Sequence, residues 1–96
     1  MYAVIFRATA KDLDPQYSAM AASLRQLAFE KFRCRDFIAV TEGDQEVAIS
    51  YWDSEADIEA WKQESRHLMA QKLGQDKWYS DYTVEVVEIK RRYQSR

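Results

Sequence analysis

The hydrophobic pattern of this chain switches between the period of a strand and the period of a helix in the order strand, helix, strand, strand, helix, strand. Tyr2 to Ala8 is a short apolar run rich in β-formers that ends in polar residues, a first strand. Asp14 and Pro15 then supply a helix N-cap and a first-turn proline. Tyr17, Met20, Ala21, Leu24, Leu27 and Ala28 recur on one face of that helix, which is expected to end near Phe32. Arg35 to Glu42 and Val47 to Trp52 read as two strands of a hairpin, joined by a short turn containing Gly43. Ser54-Glu-Ala-Asp57 has the form of a capping box, with Asp57 in the place of the usual Glu or Gln. After it Ile58, Trp61, Ser65, Leu68 and Lys72 share a face until Gly74 stops the helix. Tyr82 to about Tyr93 reads as a long last strand that becomes charged and outgrows the sheet.

This order predicts an α+β fold of the ferredoxin-like β-α-β-β-α-β kind: a four-stranded antiparallel sheet with two helices on one face. The other face should then alternate to polar residues, yet both parities are apolar. One gives Tyr2, Val4, Phe6, Val47, Ile49 and Tyr51; the other gives Ala3, Ile5, Ala48, Ser50 and Trp52. Two helices cannot cover both sides, and a second copy of the sheet is the simplest cover. The pattern therefore predicts a homodimer packed face to face, an α/β barrel.

Length and charge narrow the picture further. At 96 residues the chain forms one domain, 1–96. A domain of this size buries only roughly 60–65% of its unfolded surface, so a partner subunit would add needed area. Aromatic residues make up 14% of the chain, beside only two glycines and one proline, and their rings need burial. The 14 basic and 16 acidic residues are mixed along the sequence and leave a net charge of −2, which argues against nucleic acid or an anionic membrane as partner. No apolar run reaches membrane-spanning length, the N-terminus lacks the form of a signal peptide, and the single Cys34 rules out an internal disulfide; a cytoplasmic location is expected.

The stretch from Ala48 to Gly74, with Lys77-Trp-Tyr-Ser-Asp-Tyr82 and Val84-Glu-Val-Val-Glu88, resembles the antibiotic biosynthesis monooxygenase family. That resemblance runs over nearly the whole chain. It implies a dimeric α/β barrel made of two ferredoxin-like units, in agreement with the leftover apolar face. It also implies one of several activities: cofactorless oxygenases acting on aromatic polyketide quinols, quinol monooxygenases, or haem-degrading enzymes. In the haem-degrading branch a helical tryptophan corresponds to Trp61. The branch's haem-ligating histidine falls where Gln71 stands here, its early-strand asparagine falls near Phe6 or Arg7, and His67 lies four residues before the ligand position. The resemblance therefore implies a cofactorless enzyme ahead of a haem enzyme.

Several residues are candidates for chemistry. His67 is the one side chain that titrates near neutral pH without special tuning, which suits a proton shuttle beside an oxidisable phenol; its offset from the Ile58, Trp61, Leu68 face equally suits a solvated histidine. A lone histidine without clustered cysteines makes no metal site. Trp52, Trp61, Trp78, Tyr51, Tyr79 and Tyr82 supply flat walls with polar edges for a planar aromatic ligand, and Phe6, Phe37 and Val86 are expected to line the same cavity. Trp61 follows Ile58 at helical spacing and also suits packing on the sheet, whereas Trp52 is expected to reach the barrel interior. Arg7 offers a fixed cation to a phenolate, or pairs with Glu85 or Glu88 at a sheet edge. Arg33 and Arg35 flank Cys34 and would lower its pKa if the thiol were exposed. The basic run 90–96 solvates the strand end or crosses to another subunit.

Phosphate loops, nucleophile elbows and metal clusters are absent from the sequence, which removes nucleotide-dependent, hydrolytic and metalloenzyme readings. The expectation is a monooxygenase without cofactor that oxidises a small aromatic quinol or anthrone with O2. His67 or Tyr51 would transfer the proton, Trp52 and Trp61 would stack on the ring, and Arg7 would stabilise the anion. A haem-binding or haem-degrading enzyme and a non-catalytic dimer that binds a small molecule are the alternatives.

Overall fold

The apolar runs at the two ends of the chain and in its middle pair into one antiparallel sheet. The computed structural model describes residues 1–11, 15–66 and 78–95 in full and 67–72 as backbone. Its elements are β1 (Tyr2–Ala10), α1 (Pro15–Phe32), β2 (Asp36–Glu42), β3 (Gln45–Trp52), α2 (Glu55–Lys72) and β4 (Tyr79–Glu88). The strand order is β2-β3-β1-β4 with every pair antiparallel, the ferredoxin-like arrangement the hydrophobic pattern predicts.

Local chemistry sets the boundaries. The hairpin between β2 and β3 closes through Gly43 at φ 60 and Asp44, with Glu42 opposite Gln45; positive φ at the first loop position is what a two-residue loop of type II′ requires of a glycine. β3 therefore starts two residues before the expected Val47. α1 begins at Pro15, whose fixed φ suits a first helical position, while the proposed cap Asp14 lies outside the described residues. After Phe32 the chain leaves the helix through Arg33 in the left-handed region (φ 65), and the Cys34 N–H donates to the Ala28 carbonyl at 3.0 Å. At the start of α2 the Ser54 hydroxyl accepts the Asp57 N–H at 3.1 Å, the first half of the capping box.

Two expectations need correction. The last strand spans Tyr79–Glu88 and not Tyr82–Tyr93, because its only neighbour is β1 and Tyr2 already pairs with Glu88. Beyond that point only the Met1 carbonyl remains for the Ile89 N–H, at 3.0 Å, and the basic run folds back so that Arg92 stacks on the Tyr51 ring at 5.4 Å. The grouping of side chains by face also changes. Tyr2 pairs with Trp52, Val4 with Ser50 and Phe6 with Ala48, so these six share the helix-covered face. Ala3, Ile5, Val47, Ile49 and Tyr51 share the other, together with Ile38 and Val40. Both faces are still largely apolar.

The core sits between the helices and one end of the sheet. Val4, Ala28, Cys34, Trp52 and Ile58 are its buried centre, with Tyr2, Phe32, Phe37 and Trp61 packed around them. Trp52 and Trp78 are fully buried. Removing roughly 150–250 Å² of each from water contributes roughly 4–6 kcal/mol at 25 cal/mol per Å².

Candidate functional site

Small side chains in the middle of the helix-covered face leave a hollow above the sheet. Reading across the four strands from β2 to β4, one inward-facing row is Thr41, Glu46, Ala8 and Tyr82. The next is Ala39, Ala48, Phe6 and Val84, and the third is Phe37, Ser50, Val4 and Val86. Ala39, Ala48 and Ser50 lie side by side in the middle of this floor, and the helices do not fill the space above them. The result is a cavity of about 600 Å³, within the size range of small-molecule sites. Phe6, Phe37, Trp61, Trp78, Tyr79 and Tyr82 form aromatic walls, and Tyr17, Met20, Ala21 and Leu24 of α1 close over them.

The rings touch one another. Phe6 lies 5.4 Å from Tyr79 and 6.0 Å from Tyr82, and Tyr17 lies 5.4 Å from Trp78 and 5.7 Å from Tyr79. On the opposite side, Trp61 contacts Phe37 at 6.2 Å, and its indole N–H donates to the Leu24 carbonyl at 3.1 Å. Apart from the stacked Phe6–Tyr82 pair these contacts are edge-on, and both arrangements are favoured by the ring quadrupoles.

Few polar groups enter the space. Glu46 is buried, with one carboxylate oxygen accepting the Thr41 hydroxyl at 2.9 Å. The Tyr17 and Tyr79 rings lie edge-on at 5.7 Å beside this carboxylate. Burial pushes the Tyr17 phenol above its ordinary pKa, and burial first, then the neighbouring Tyr17 hydroxyl, pushes Tyr79 higher still; the nearby Glu46 charge adds to both. Ser50 is committed to the core, accepting the Trp52 indole N–H at 2.8 Å. The Trp78 indole N–H is buried and has no hydrogen-bond partner among the described residues, a state that costs about 1–3 kcal/mol. Arg25, Lys62 and Arg66 bring positive charge to the lining, Arg25 with its guanidinium 5.7 Å above the Phe37 ring.

The sequence candidates divide between the two faces. Trp61, Phe6, Phe37 and Val86 line the cavity together. Trp52 has the parity expected of it, but its ring packs on Trp61 at 5.2 Å inside the core, not in the cavity wall. Arg7 and Tyr51 point to the open face of the sheet, away from the cavity; Arg7 borders a shallow hollow with Asp81, Thr83 and Glu85. His67 lies on α2, with its side chain outside the described residues, as is that of Gln71. Cys34 is buried with its thiol donating to the Asp36 carbonyl at 3.1 Å, and burial pushes its pKa up, opposite to the shift expected from its flanking arginines. Among the described residues no three His, Cys, Asp or Glu side chains gather as a metal site, and no helix is long and apolar enough to cross a membrane.

The sequence pattern leaves Glu46 in the hairpin turn and puts Tyr17 on the core stripe of α1, whereas Glu46 faces the cavity and Tyr17 is one of its walls. The usable signal for Glu46 is its parity. It stands two and four residues before Ala48 and Ser50, a charge on an inward-facing row.

This architecture has known relatives. The chain is 32% identical to the uncharacterised protein YqjZ of Bacillus subtilis (strain 168) over 92 residues, covering 95% of this chain and 81% of that protein. No family model matches it. Among solved structures, Rv0793 of Mycobacterium tuberculosis superposes with a TM-score of 0.77 at 14% identity, covering 97% of this chain and 98% of that one. SnoaB, a cofactor-independent oxygenase from Streptomyces nogalater, superposes with a TM-score of 0.71 at 9% identity over 95% and 94% of the two chains. An antibiotic biosynthesis monooxygenase gives a TM-score of 0.61 at 20% identity over 93% and 98%. At such identities the structural likeness establishes the fold.

Proposed function

Because the chain belongs to the family of the Bacillus subtilis protein YqjZ and has the fold of the antibiotic biosynthesis monooxygenases, we propose that it is a cofactor-independent monooxygenase that oxidises a small quinol- or anthrone-like aromatic with O2. The observation that carries this reading is the aromatic-walled cavity of about 600 Å³ between helices and sheet. A planar ring slides between Trp61 and Phe37 on one side and the Phe6, Tyr79, Tyr82 cluster on the other. In the proposed reaction the ligand itself supplies the electrons. Its anion passes one to O2 and the two radicals recombine; in an anthrone a ring CH2 then becomes C=O, in a quinol a ring C–H becomes C–OH as the ring goes to the quinone, and in both the second oxygen atom leaves as water. The protein positions the ring and keeps bulk water from the reacting carbon.

The active unit in this proposal is a cytoplasmic homodimer. Ile38 and Val40 on the open sheet face are 53% and 56% exposed, beside the partly buried Ile5, Val47 and Ile49, an apolar surface that a second copy of the same sheet would cover.

The test is oxygen uptake by purified protein with a panel of quinols and anthrones, run beside a haem titration. Uptake that falls at least about tenfold with Ala39→Phe or Ala48→Phe, which fill the hollow, supports the reading. No uptake with any member would sink it. A Soret shift on haem addition would turn the assignment toward a haem enzyme, and silence in both arms toward a binding dimer. The same assay on His67→Ala tests the proton-transfer role expected of His67.

A further inference from the structure

The oxygenase reading leaves open which group takes the ligand's proton, and the described cavity holds one carboxylate that the fold does not account for. Glu46 sits on β3 in the row Thr41, Glu46, Ala8, Tyr82, facing the cavity, and is 9% exposed. Among the described residues its carboxylate has the Thr41 hydroxyl as its hydrogen-bond partner and no basic side chain within ion-pair distance. A buried carboxylate held by one hydroxyl and no cation is a poor structural device, since an apolar residue of the same size would avoid its desolvation. Ala8, beside it on β1, is too small to fill the space between Glu46 and Tyr82.

Flat rings wall the cavity around this carboxylate: Phe6, Tyr17, Trp78, Tyr79 and Tyr82 line it with Glu46, and the Tyr17 ring packs edge-on against Trp78 at 5.4 Å and Tyr79 at 5.7 Å. A ligand that fits these walls and uses the one carboxylate among the described lining residues is a polycyclic aromatic that carries an acidic O–H.

We propose that Glu46 is the proton acceptor of this cavity, and that its ligand is a polycyclic phenol or enol whose hydroxyl reaches Glu46. This rests on the oxygenase reading. In the step assigned to Glu46, the ligand O–H bond breaks, its electron pair stays on the ligand oxygen, and the proton passes to the carboxylate, giving a neutral carboxylic acid. Nothing is oxidised at that stage; O2 is the oxidant of the step that follows. The protonated Tyr17 and Tyr79 keep further negative charge away from the site.

The experiment uses 1,8-dihydroxyanthrone as probe with the full chain and the variants Glu46→Gln, Glu46→Asp and Thr41→Val. Under nitrogen, the absorption of the probe's anion is followed against pH in the presence of protein, and binding is followed separately by quenching of tryptophan fluorescence. Under air, oxygen uptake is measured. Among the described residues the titratable groups facing Glu46 are Tyr17 from α1 and Tyr79 and Tyr82 from β4, with Thr41 on β2 and Ala8 on β1 contributing none. Arg25, Lys62 and Arg66 line the same cavity and are unchanged in every variant.

The expected result is that wild type favours the bound anion. Glu46→Gln should bind the probe within about threefold of wild type, lose that preference for the anion, and oxidise it about 100-fold more slowly or worse. Glu46→Asp should restore part of the rate, and Thr41→Val should lower it while binding is kept. Ionisation and uptake by Glu46→Gln equal to wild type would overturn the role of Glu46 and leave the oxygenase reading standing. Failure of wild type to bind the probe or consume oxygen with it would overturn both. Because the glutamine is isosteric, a folded variant is expected; should it unfold, Thr41→Val with wild-type ionisation and rate would overturn the proposal.

Discussion

Trp61 and Leu24 are joined across the two helices: the indole N–H of α2 donates to the main-chain carbonyl of α1 at 3.1 Å, and the same ring walls the cavity. This bond ties the two helices together above the cavity floor of Ala39 and Ala48. Trp61→Phe keeps most of the packing and loses the bond, so it should cost about 1 kcal/mol, whereas Trp61→Ala should cost about 3–5 kcal/mol. Urea denaturation measures both. Equal costs would mean that the hydrogen bond contributes nothing.

The open sheet face makes the second prediction. Sedimentation at micromolar concentration should give twice the 11.4 kDa chain mass. The double substitution Ile38→Lys, Val40→Lys should reduce it to one chain and make the melting temperature independent of concentration, because charges opposed across a twofold interface repel. A wild-type mass of one chain would remove the homodimer.

How far the sequence reaches can be judged from particular residues. Element types follow from local period, and the hairpin turn follows from Gly43, because both depend on near neighbours. Which side of β1 joins which side of β3 depends on the pairing of Tyr2 with Trp52, fifty residues apart, and no local pattern sets that register. For this reason Tyr51 and Arg7, expected at the site, lie on the opposite face. Trp61, Phe6, Phe37 and Val86 share the cavity wall because Phe6, Phe37 and Val86 are large apolar side chains on inward-facing rows of the sheet and Trp61 lies on the helix above them. The space itself comes from Ala39, Ala48 and Ser50, and a cavity made by small residues leaves no signal in a hydrophobicity pattern.

Cys34 should behave as an inert core thiol. It is buried, bonded to the Asp36 carbonyl, and shifted up in pKa mainly by desolvation. Its reaction with a disulfide reagent at pH 8 should be about 100-fold slower in the native protein than in 6 M guanidinium, since only the opened state presents a thiolate. Native and denatured rates within a factor of three would show that the flanking arginines govern the thiol.

The paired phenols set the alkaline limit of stability. Tyr17 and Tyr79 are both raised above the ordinary tyrosine value of 10.0, chiefly by burial, so the folded chain holds these protons more tightly than the unfolded chain does. Below pH 10 both states keep the protons and stability is unaffected. Above it the unfolded state releases them first, binds fewer protons than the native state, and stability falls as pH rises toward the folded-state values. Cys34, raised from 9.0, begins the same trend about one unit earlier. Urea midpoints measured from pH 8 to 11 should therefore hold level and then drop, and Tyr79→Phe should flatten the drop above pH 10 without touching the part that starts near 9. If Tyr79→Phe leaves the whole profile unchanged, the hydroxyl pair is solvated in the folded protein and the aromatic end of the cavity is wetter than its packing indicates.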